Sequence, residues 1–406
     1  MGIDTDIVVA GGGIVGMTLA LALRRAGFAV TLCDALPVPA RADAQFDGRA
    51  YAVAAAGRRM LDALGVWQAV APAAQAMTDI LVGDSRPGEA APPLLHFDHR
   101  ESDSGPFAWM VEDHVLRIAL LSGLEAAGIT HLAPVTITGQ EAGPEAVAVA
   151  LADGRRLRAR LLAACDGRDS AIAARAGIGR VGRGYRQRGL VCALAHERPH
   201  RGIARQIFLP GGPFAILPLT GNRVSLVWTE TEALAAALDA LPDVDYLAEI
   251  RRRIGDPLGA VRLIGRRWSY PLAFSLARRY FADRVVLAGD AAHVIHPLAG
   301  QGLNLGLADV AALTEVLAEA ARRGEDIGAP AVLARYQAWR RFDAGLMGLA
   351  CDGFNSLFSN DNPLLRGLRD AGLGLAGAPL AARRFFMGLA AGETGDVPRL
   401  MRGEPV

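Results

Sequence analysis

Three aspartates stand at the ends of apolar runs that read as strands: Asp34 after 29–33, Asp166 after 161–165, and Asp290 after 285–288. A carboxylate at the carboxyl edge of a sheet is placed to accept hydrogen bonds from ligand hydroxyls, because open α/β folds bind their ligands there. Three such strand-end acids in one chain are hard to assign to chance. Two of them are followed by helical runs, at 170–177 and from near Asn304. The loop before the second helix carries Gly300, Gly302 and Gly306, which remove side chains where a flat ligand could lie against the main chain. The free N–H groups at that helix start offer partial positive charge to an anion.

The elements that position these groups are legible. Residues 6–34 form one βαβ unit, with a strand at 7–10, the turn Gly11, Gly13 and Gly16 in G-x-G-x-x-G spacing, a helix over 14–26 capped by Gly27, and a second strand over 29–33. The glycines serve a tight turn, approach of backbone to a pyrophosphate, and close helix–strand packing, and an acid about 20 residues on holds a ribose hydroxyl. This unit predicts dinucleotide binding. Arg49, in a loop near the glycine turn, could reach phosphates or a cofactor ring, or stay solvated. A small-residue helix is expected over 52–64, short strands over 77–98, and a returning amphipathic helix over 111–128. Residues 135–162 read as a β-meander. From about 185 to 272 the chain is strand-rich, with one helix over 244–254, and after Val310 it is helical, interrupted at 359–363.

Composition narrows the function. The 406 residues, 51% hydrophobic and 21% charged, suit an ordered protein of two or three domains. Forty-three basic against 42 acidic residues give no electrostatic case for nucleic acid. Every basic residue is arginine, which excludes Schiff-base lysine chemistry and a P-loop lysine. Cys33, Cys165, Cys192 and Cys351 are far apart, which suits buried thiols in a reducing compartment rather than disulfides or zinc. Asp4 and Asp6 replace the basic start of a secretory signal. The uncharged run 7–23 holds four glycines and is short for a span, so it is read as the βαβ unit and not as a membrane helix. His293 and His296 lack further ligands at metal spacing, so no metal is expected. His96 and His99 read as polar loop residues. Phe208, Phe214, Trp228 and Trp268 read singly as core and together as a candidate wall for an aromatic substrate.

Taken in order, GGGIVG (11–16), CDGRDS (165–170) and AGDAAHVIHPLAGQGLNLGLAD (288–309) resemble the motifs of the single-component FAD-dependent aromatic hydroxylases, and the similarity runs essentially the whole length. The run 296–309 is similar to the signature of the ubiquinone-biosynthesis hydroxylases, as is the tail FSNDNPLLRGLRDAGLGL. The resemblance implies an α/β fold: a Rossmann-type, glutathione-reductase-like FAD-binding domain with a β-meander (1–76, 109–184, 276–345), an antiparallel-sheet substrate domain (77–108, 185–275) and a C-terminal helical region (346–406). It implies that Gly11, Gly13 and Gly16 hold the FAD pyrophosphate, Asp34 the adenosine ribose and Asp290 the ribityl chain, with Arg49 and Asp166 also at the cofactor. The helix start at Gly302, Leu303 and Asn304 would face the flavin's pyrimidine edge, and Pro297, Gly300 and Gln301 would form the environment of the reacting ring. Three departures stand out: Asp34 replaces the family's usual Glu, Cys165 its usual Ala or Gly, and Asp113 an amide or basic residue, so no role is carried over to Asp113 or Arg117.

The implied activity is hydroxylation of a polyprenylated phenol or quinol precursor of ubiquinone through a flavin hydroperoxide, with O2 as co-substrate. NAD(P)H as transient reductant is implied by the resemblance alone, since no second G-x-G-x-x-G is present. Two alternatives stay open: a hydroxylase of a small soluble phenol, and a non-catalytic flavin-binding subunit of a quinone-biosynthesis assembly. The expected location is cytoplasmic, with peripheral attachment to the inner membrane and membership of a multi-enzyme complex as extensions of the resemblance. The C-terminal helices, with Arg383, Arg384, Phe385, Phe386 and Met387, leave three options open: packing on the core, a contact between like subunits, and a membrane surface.

Overall fold

The computed structural model describes residues 2–89, 92–101, 105–297, 300–358, 388, 391–393 and 395–406. Leu298 and Ala299 of the signature, nearly all of the tail motif and the patch 383–387 lie outside the described residues.

Apolar β-branched runs build the first sheet. Its order is Phe281–Ala282, Val285–Leu287, Arg156–Ala164, Thr5–Ala10, Val30–Cys33, Thr130–Leu132, with the meander strands Ile137–Ala142 and Val147–Leu151 added beyond Arg156–Ala164. The strands from Val285–Leu287 to Thr130–Leu132 run parallel, and their register sets Leu287 beside Ala164, Ala164 beside Ala10 and Ala10 beside Cys33. Parallel strands need helical crossovers that bury both faces, which is why these runs are continuously apolar.

The helix Ile14–Arg25 packs on the long helix Gln301–Arg322, and each buries leucines and alanines in the main core. Burial of one such leucine contributes roughly 1.5–3 kcal/mol. Val15 is the wedge between them. A Cβ on Gly306 would fall 2.7 Å from its Cγ2 and one on Gly289 3.1 Å from its Cγ1, so both glycines are fixed by how closely these elements approach.

The second sheet has the order His293–Val294, Val261–Ala277, Arg180–His196, Arg223–Thr231, Gly212–Leu219, Ile203–Leu209, Asp79–Asp84, Pro93–Asp98. It is antiparallel except between Ile203–Leu209 and Asp79–Asp84, which pair in parallel. Helices Glu232–Asp239 and Asp243–Ile254 cover it, and Phe214, Trp228 and Tyr246 interlock in its core, with ring centroids 5.5 and 5.8 Å apart. A third sheet joins Ala50–Ala54, Ala108–Glu112 and Gln75–Met77.

The α/β class with a C-terminal helical segment is therefore observed. Several element boundaries differ from the sequence reading. Residues 52–54 are strand, and the helix expected over 52–64 runs Ala55–Ala63, because the alanines at 50–54 pair with Ala108–Glu112. For the same reason the helix expected from 111 begins at Asp113. The helix expected near Asn304 begins three residues earlier, at Gln301.

Candidate functional site

The parallel register places four strand ends in a row, and the ladder continues one residue past them. Gly11 N donates to Cys33 O at 2.8 Å, Cys165 N to Ala10 O at 2.8 Å, and Ala288 N to Ala164 O at 3.0 Å. Asp34, the glycine turn, Asp166 and the Gly289–Asp290 turn thus share one edge of the sheet.

Two helices begin there without a side-chain cap. Ile14–Arg25 starts from Gly13, and Gln301–Arg322 from Gly300 in a left-handed conformation (φ 65°). Their first N–H groups keep their partial positive charge for a ligand. The glycines divide into two kinds. A Cβ on Gly11 would stand 2.4 Å from Cys165 O and one on Gly16 1.9 Å from Gly11 O, so these serve packing. A Cβ on Gly13 or Gly302 would meet nothing within 4 Å among the described residues. Open space at two helix starts is a cradle for phosphate and for a flat ring, so the residues fit a flavin dinucleotide.

Asp34 is 2% exposed. Burial works against its charge, but the Arg41 fork (Nε to Oδ2 2.8 Å, Nη2 to Oδ1 3.0 Å) and the backbone N–H groups of Leu36 and Gly12 hold its carboxyl below the usual range. A Cβ on Gly12 would strike Asp34 Oδ2 at 2.2 Å, which makes this middle glycine the most constrained of the turn toward the acid. Asp166 accepts from Ile172 N at 3.3 Å through Oδ2, while its buried Oδ1 has no partner among the described residues. Asp290 is exposed, and Arg180 donates to the carbonyls of Asp290 (3.2 Å) and Ala291 (2.6 Å).

Behind the Asp290 turn sits a charged cluster that the sequence reading missed. Asp309, fully buried, accepts from Gly289 N at 3.0 Å and from Arg340 Nε at 3.0 Å, and lies 2.6 Å from His293 Nε2. Burial raises its pKa, and His293 and Arg340 more than reverse this, leaving it lowered. His293 is therefore a structural partner of Asp309. Among the described residues no three potential ligands come together for a metal.

On the other side, Asn304 is an anchor: it donates to Ala52 O (3.0 Å) and Gly300 O (3.2 Å) and accepts from Ala54 N (2.9 Å). Its side chain is committed, so what it can offer a ligand is its backbone. Leu303 packs partly on the core, and Pro297, Gly300, Gln301 and Gly302 are half-buried at the mouth. Before Pro297, His296 is buried edge-on against Tyr185, with centroids 5.2 Å apart. Burial pushes its pKa down to about 4, and both ring nitrogens lack partners among the described residues.

Arg49 is held by Asp47 (Nε to Oδ2 2.8 Å) and Asp113 (Nη2 to Oδ2 3.1 Å); Asp113 also accepts from Tyr51 OH at 3.0 Å and Arg117 Nε at 2.7 Å. The departure at Asp113 thus has a structural account. Two arginines converge on that carboxylate, and an acid balances them. Tyr51 and Arg41 carried no signal in the sequence, since the first is defined by a partner distant in the chain and the second by a turn, whereas Arg117 stands four residues after Asp113 on one helix, an ion-pair spacing the sequence does show.

A strand-end row of acids, a glycine turn and two uncapped helix starts define a dinucleotide-binding protein, and its relatives give the class as FAD-dependent monooxygenase. A family model described as the FAD binding domain matches residues 4–344. Ubiquinone hydroxylase UbiL of Rhodospirillum rubrum is 44% identical over 405 residues, covering 99% of this chain and 93% of that protein. The 3-demethoxyubiquinol 3-hydroxylase of Escherichia coli is 38% identical over 371 residues, covering 91% of this chain and 94% of that protein. This chain belongs to the FAD-binding-domain family and, within it, to the ubiquinone-biosynthesis hydroxylases. Among solved structures, PqsL of Pseudomonas aeruginosa superposes with a TM-score of 0.78 at 26% identity, over 91% of this chain and 99% of that one. The p-nitrophenol 4-monooxygenase PnpA of Pseudomonas putida gives 0.81 over 98% and 100%, at 20% identity, a likeness of fold.

Proposed function

We propose that this protein hydroxylates the aromatic ring of a polyprenylated phenol intermediate of ubiquinone biosynthesis, using FAD, O2 and NAD(P)H. The similarity to UbiL over 99% of the chain carries the reading. When bound, FAD supplies the activation of O2 and the transfer of one oxygen to the ring. The chain's own residues bind and orient it. Gly11, Gly13 and Gly16 would form the turn that receives the pyrophosphate at the start of Ile14–Arg25, Gly13 by leaving space for it and Gly11 and Gly16 by permitting the close packing that shapes the turn; Asp34 would hold the adenosine ribose, Arg49 and Asp166 would contact the cofactor, and Asp290 would hold the ribityl chain. Gly302, Leu303 and Asn304 offer backbone N–H groups to the anionic edge of the reduced ring. Pro297, Gly300 and Gln301 shape the ring's reacting face and help to exclude water.

The interleaved division into cofactor, substrate and C-terminal segments given above is part of this proposal. So are a peripheral contact with the inner membrane, a multi-enzyme assembly and contact between like subunits. No helix among the described residues is long and apolar enough to cross a membrane.

The test is the quinone-pathway lipid profile of a strain lacking the gene. An accumulated prenylated ring short of one oxygen supports the reading and identifies the carbon. A normal ubiquinone profile, in a strain without a second hydroxylase, sinks it and points to a soluble phenol.

A further inference from the structure

The second sheet meets the loop Asp47–Gly48–Arg49 through an irregular stretch of its strand Val261–Ala277. Opposite Arg180–His196, the ladder pairs Val191 with Trp268 and Ala193 with Ile264, so two steps on one strand face four on the other. The extra residues, among them Gly265 and Arg266, leave the regular ladder and meet the loop. Arg266 N donates to Asp47 O at 3.0 Å, and a Cβ on Gly265 (φ 70°) would fall 2.7 Å from Gly48 N. A Cβ on Gly48 (φ 99°) would fall 2.8 Å from Arg266 O, so both glycines are fixed by this contact. Ladder irregularities of this kind re-aim side chains and gather beside functional sites.

The side chain re-aimed here is Trp268. Its Nε1 donates to Asp47 O at 2.9 Å, and the Arg49 guanidinium lies 4.9 Å from its ring centroid. Trp268 stacks in turn on Tyr270, with ring planes 7° apart. Unlike Trp228, which is 1% exposed in the core, Trp268 is only half-buried. Arg49 is fastened through Nε and Nη2, leaving Nη1 without a hydrogen-bond partner among the described residues, and its side chain is 35% exposed.

We propose that Trp268 is a positioning residue of the substrate sheet. It is the platform that holds Arg49 in the orientation from which Nη1 meets the cofactor, and it couples that sheet to cofactor binding. The inference rests on Arg49 facing FAD, as proposed above. Trp268 carries no charge, so its replacement changes the platform without changing the electrostatics around an anionic ligand.

The test is a double-mutant cycle on FAD dissociation constants, measured by flavin fluorescence on apoprotein. The proteins are the parent, Trp268→Leu, Arg49→Ala and the double variant. Loss of the cation–π contact to Arg49 and of the hydrogen bond to Asp47 should weaken FAD about tenfold in Trp268→Leu, while the second cation on that ring, Arg266 at 5.9 Å, is not a proposed cofactor contact. In the Arg49→Ala background the same replacement should change it by less than about twofold, because its only route to the cofactor is gone. Trp268→Phe keeps a ring and loses the N–H, so its loss should be about threefold, and it serves if the leucine variant does not fold. An equal loss in both backgrounds means an ordinary packing role and overturns the proposal. So does unchanged FAD affinity in Trp268→Leu and Trp268→Phe. Unchanged affinity in Arg49→Ala itself removes Arg49 from the cofactor site and takes the proposal with it.

Discussion

Gly13 and Gly11 lie two residues apart in one motif, yet the structure gives their replacement by alanine opposite consequences. At Gly13 the backbone is ordinary (φ −73°, ψ 176°), and an added Cβ meets nothing within 4 Å. Losing glycine at the helix N-cap costs about 0.5–1 kcal/mol. The smaller conformational freedom of the unfolded alanine chain returns about 0.4–1 kcal/mol. The apoprotein of Gly13→Ala should therefore unfold within roughly 2 °C of the parent. Its FAD affinity should fall at least about tenfold, because the methyl group occupies the space through which the pyrophosphate approaches the main chain. At Gly11 the φ of 104° and a Cβ 2.4 Å from Cys165 O make the cost structural. Left-handed strain of about 1–3 kcal/mol and overlap of about 1–3 kcal/mol together take a large part of a typical folding free energy. Thermal unfolding of both apoproteins, followed by FAD titration of whichever folds, separates the two effects. If Gly13→Ala binds FAD as tightly as the parent, the open cradle at that helix start is not the pyrophosphate site.

Asp309→Asn should destabilise the protein by up to about 3–5 kcal/mol at neutral pH, because buried Arg340 then faces a neutral amide and keeps only the half-exposed Asp343, 2.9 Å away, as its carboxylate partner. Asp309 has a lowered folded pKa, so its contribution is present above the unfolded value near 4 and is lost as pH falls through the folded one; a difference from the parent in chemical denaturation that fails to shrink on acidification would refute the assignment. Asp290→Ala should fold normally, since that side chain is exposed, and lose flavin on purification; full flavin content would count against the strand-end site. Burial pushes the Cys33 and Cys351 thiols up to about 11 and Cys192 to about 12, and raises Cys165 as well. All four should therefore react with a thiol reagent at pH 8 far more slowly than free cysteine until the protein is unfolded. One thiol reacting at the free rate would contradict the burial.

What was legible in the sequence and what was not divides by the distance over which a residue is constrained. The glycine turn and the strand-end acids carry local marks, such as the positive φ at Gly11, the approach of Gly16 to Gly11 O and the apolar run before each acid, so spacing exposed them even though Gly11 also meets Cys165 far along the chain. Gly12 shows the limit of that reading. It occupies a variable position of the motif, and its constraint comes from Asp34, at the end of the neighbouring strand. The alanines at 50–54 show another. Their propensity favours helix, but pairing with Ala108–Glu112 overrides it, and no local signal marks the partner. The parallel pair Ile203–Leu209 and Asp79–Asp84 is likewise a long-range choice.

Trp268 and Asp309 share this non-local character. Each looks ordinary in sequence, an aromatic in a strand and an acid within a helix, and each is given its role by groups far along the chain: Asp47 and Arg49 for Trp268, Gly289 and Arg340 for Asp309. Asp309 holds the Gly289–Asp290 turn at the strand-end edge, and Trp268 holds Arg49, the cation proposed to meet the cofactor. The residues proposed to touch the cofactor could therefore be found by motif, while those that hold them in place required the fold. Altering the first group should weaken cofactor binding directly, and altering the second should reach the cofactor only through the residue or turn that it holds.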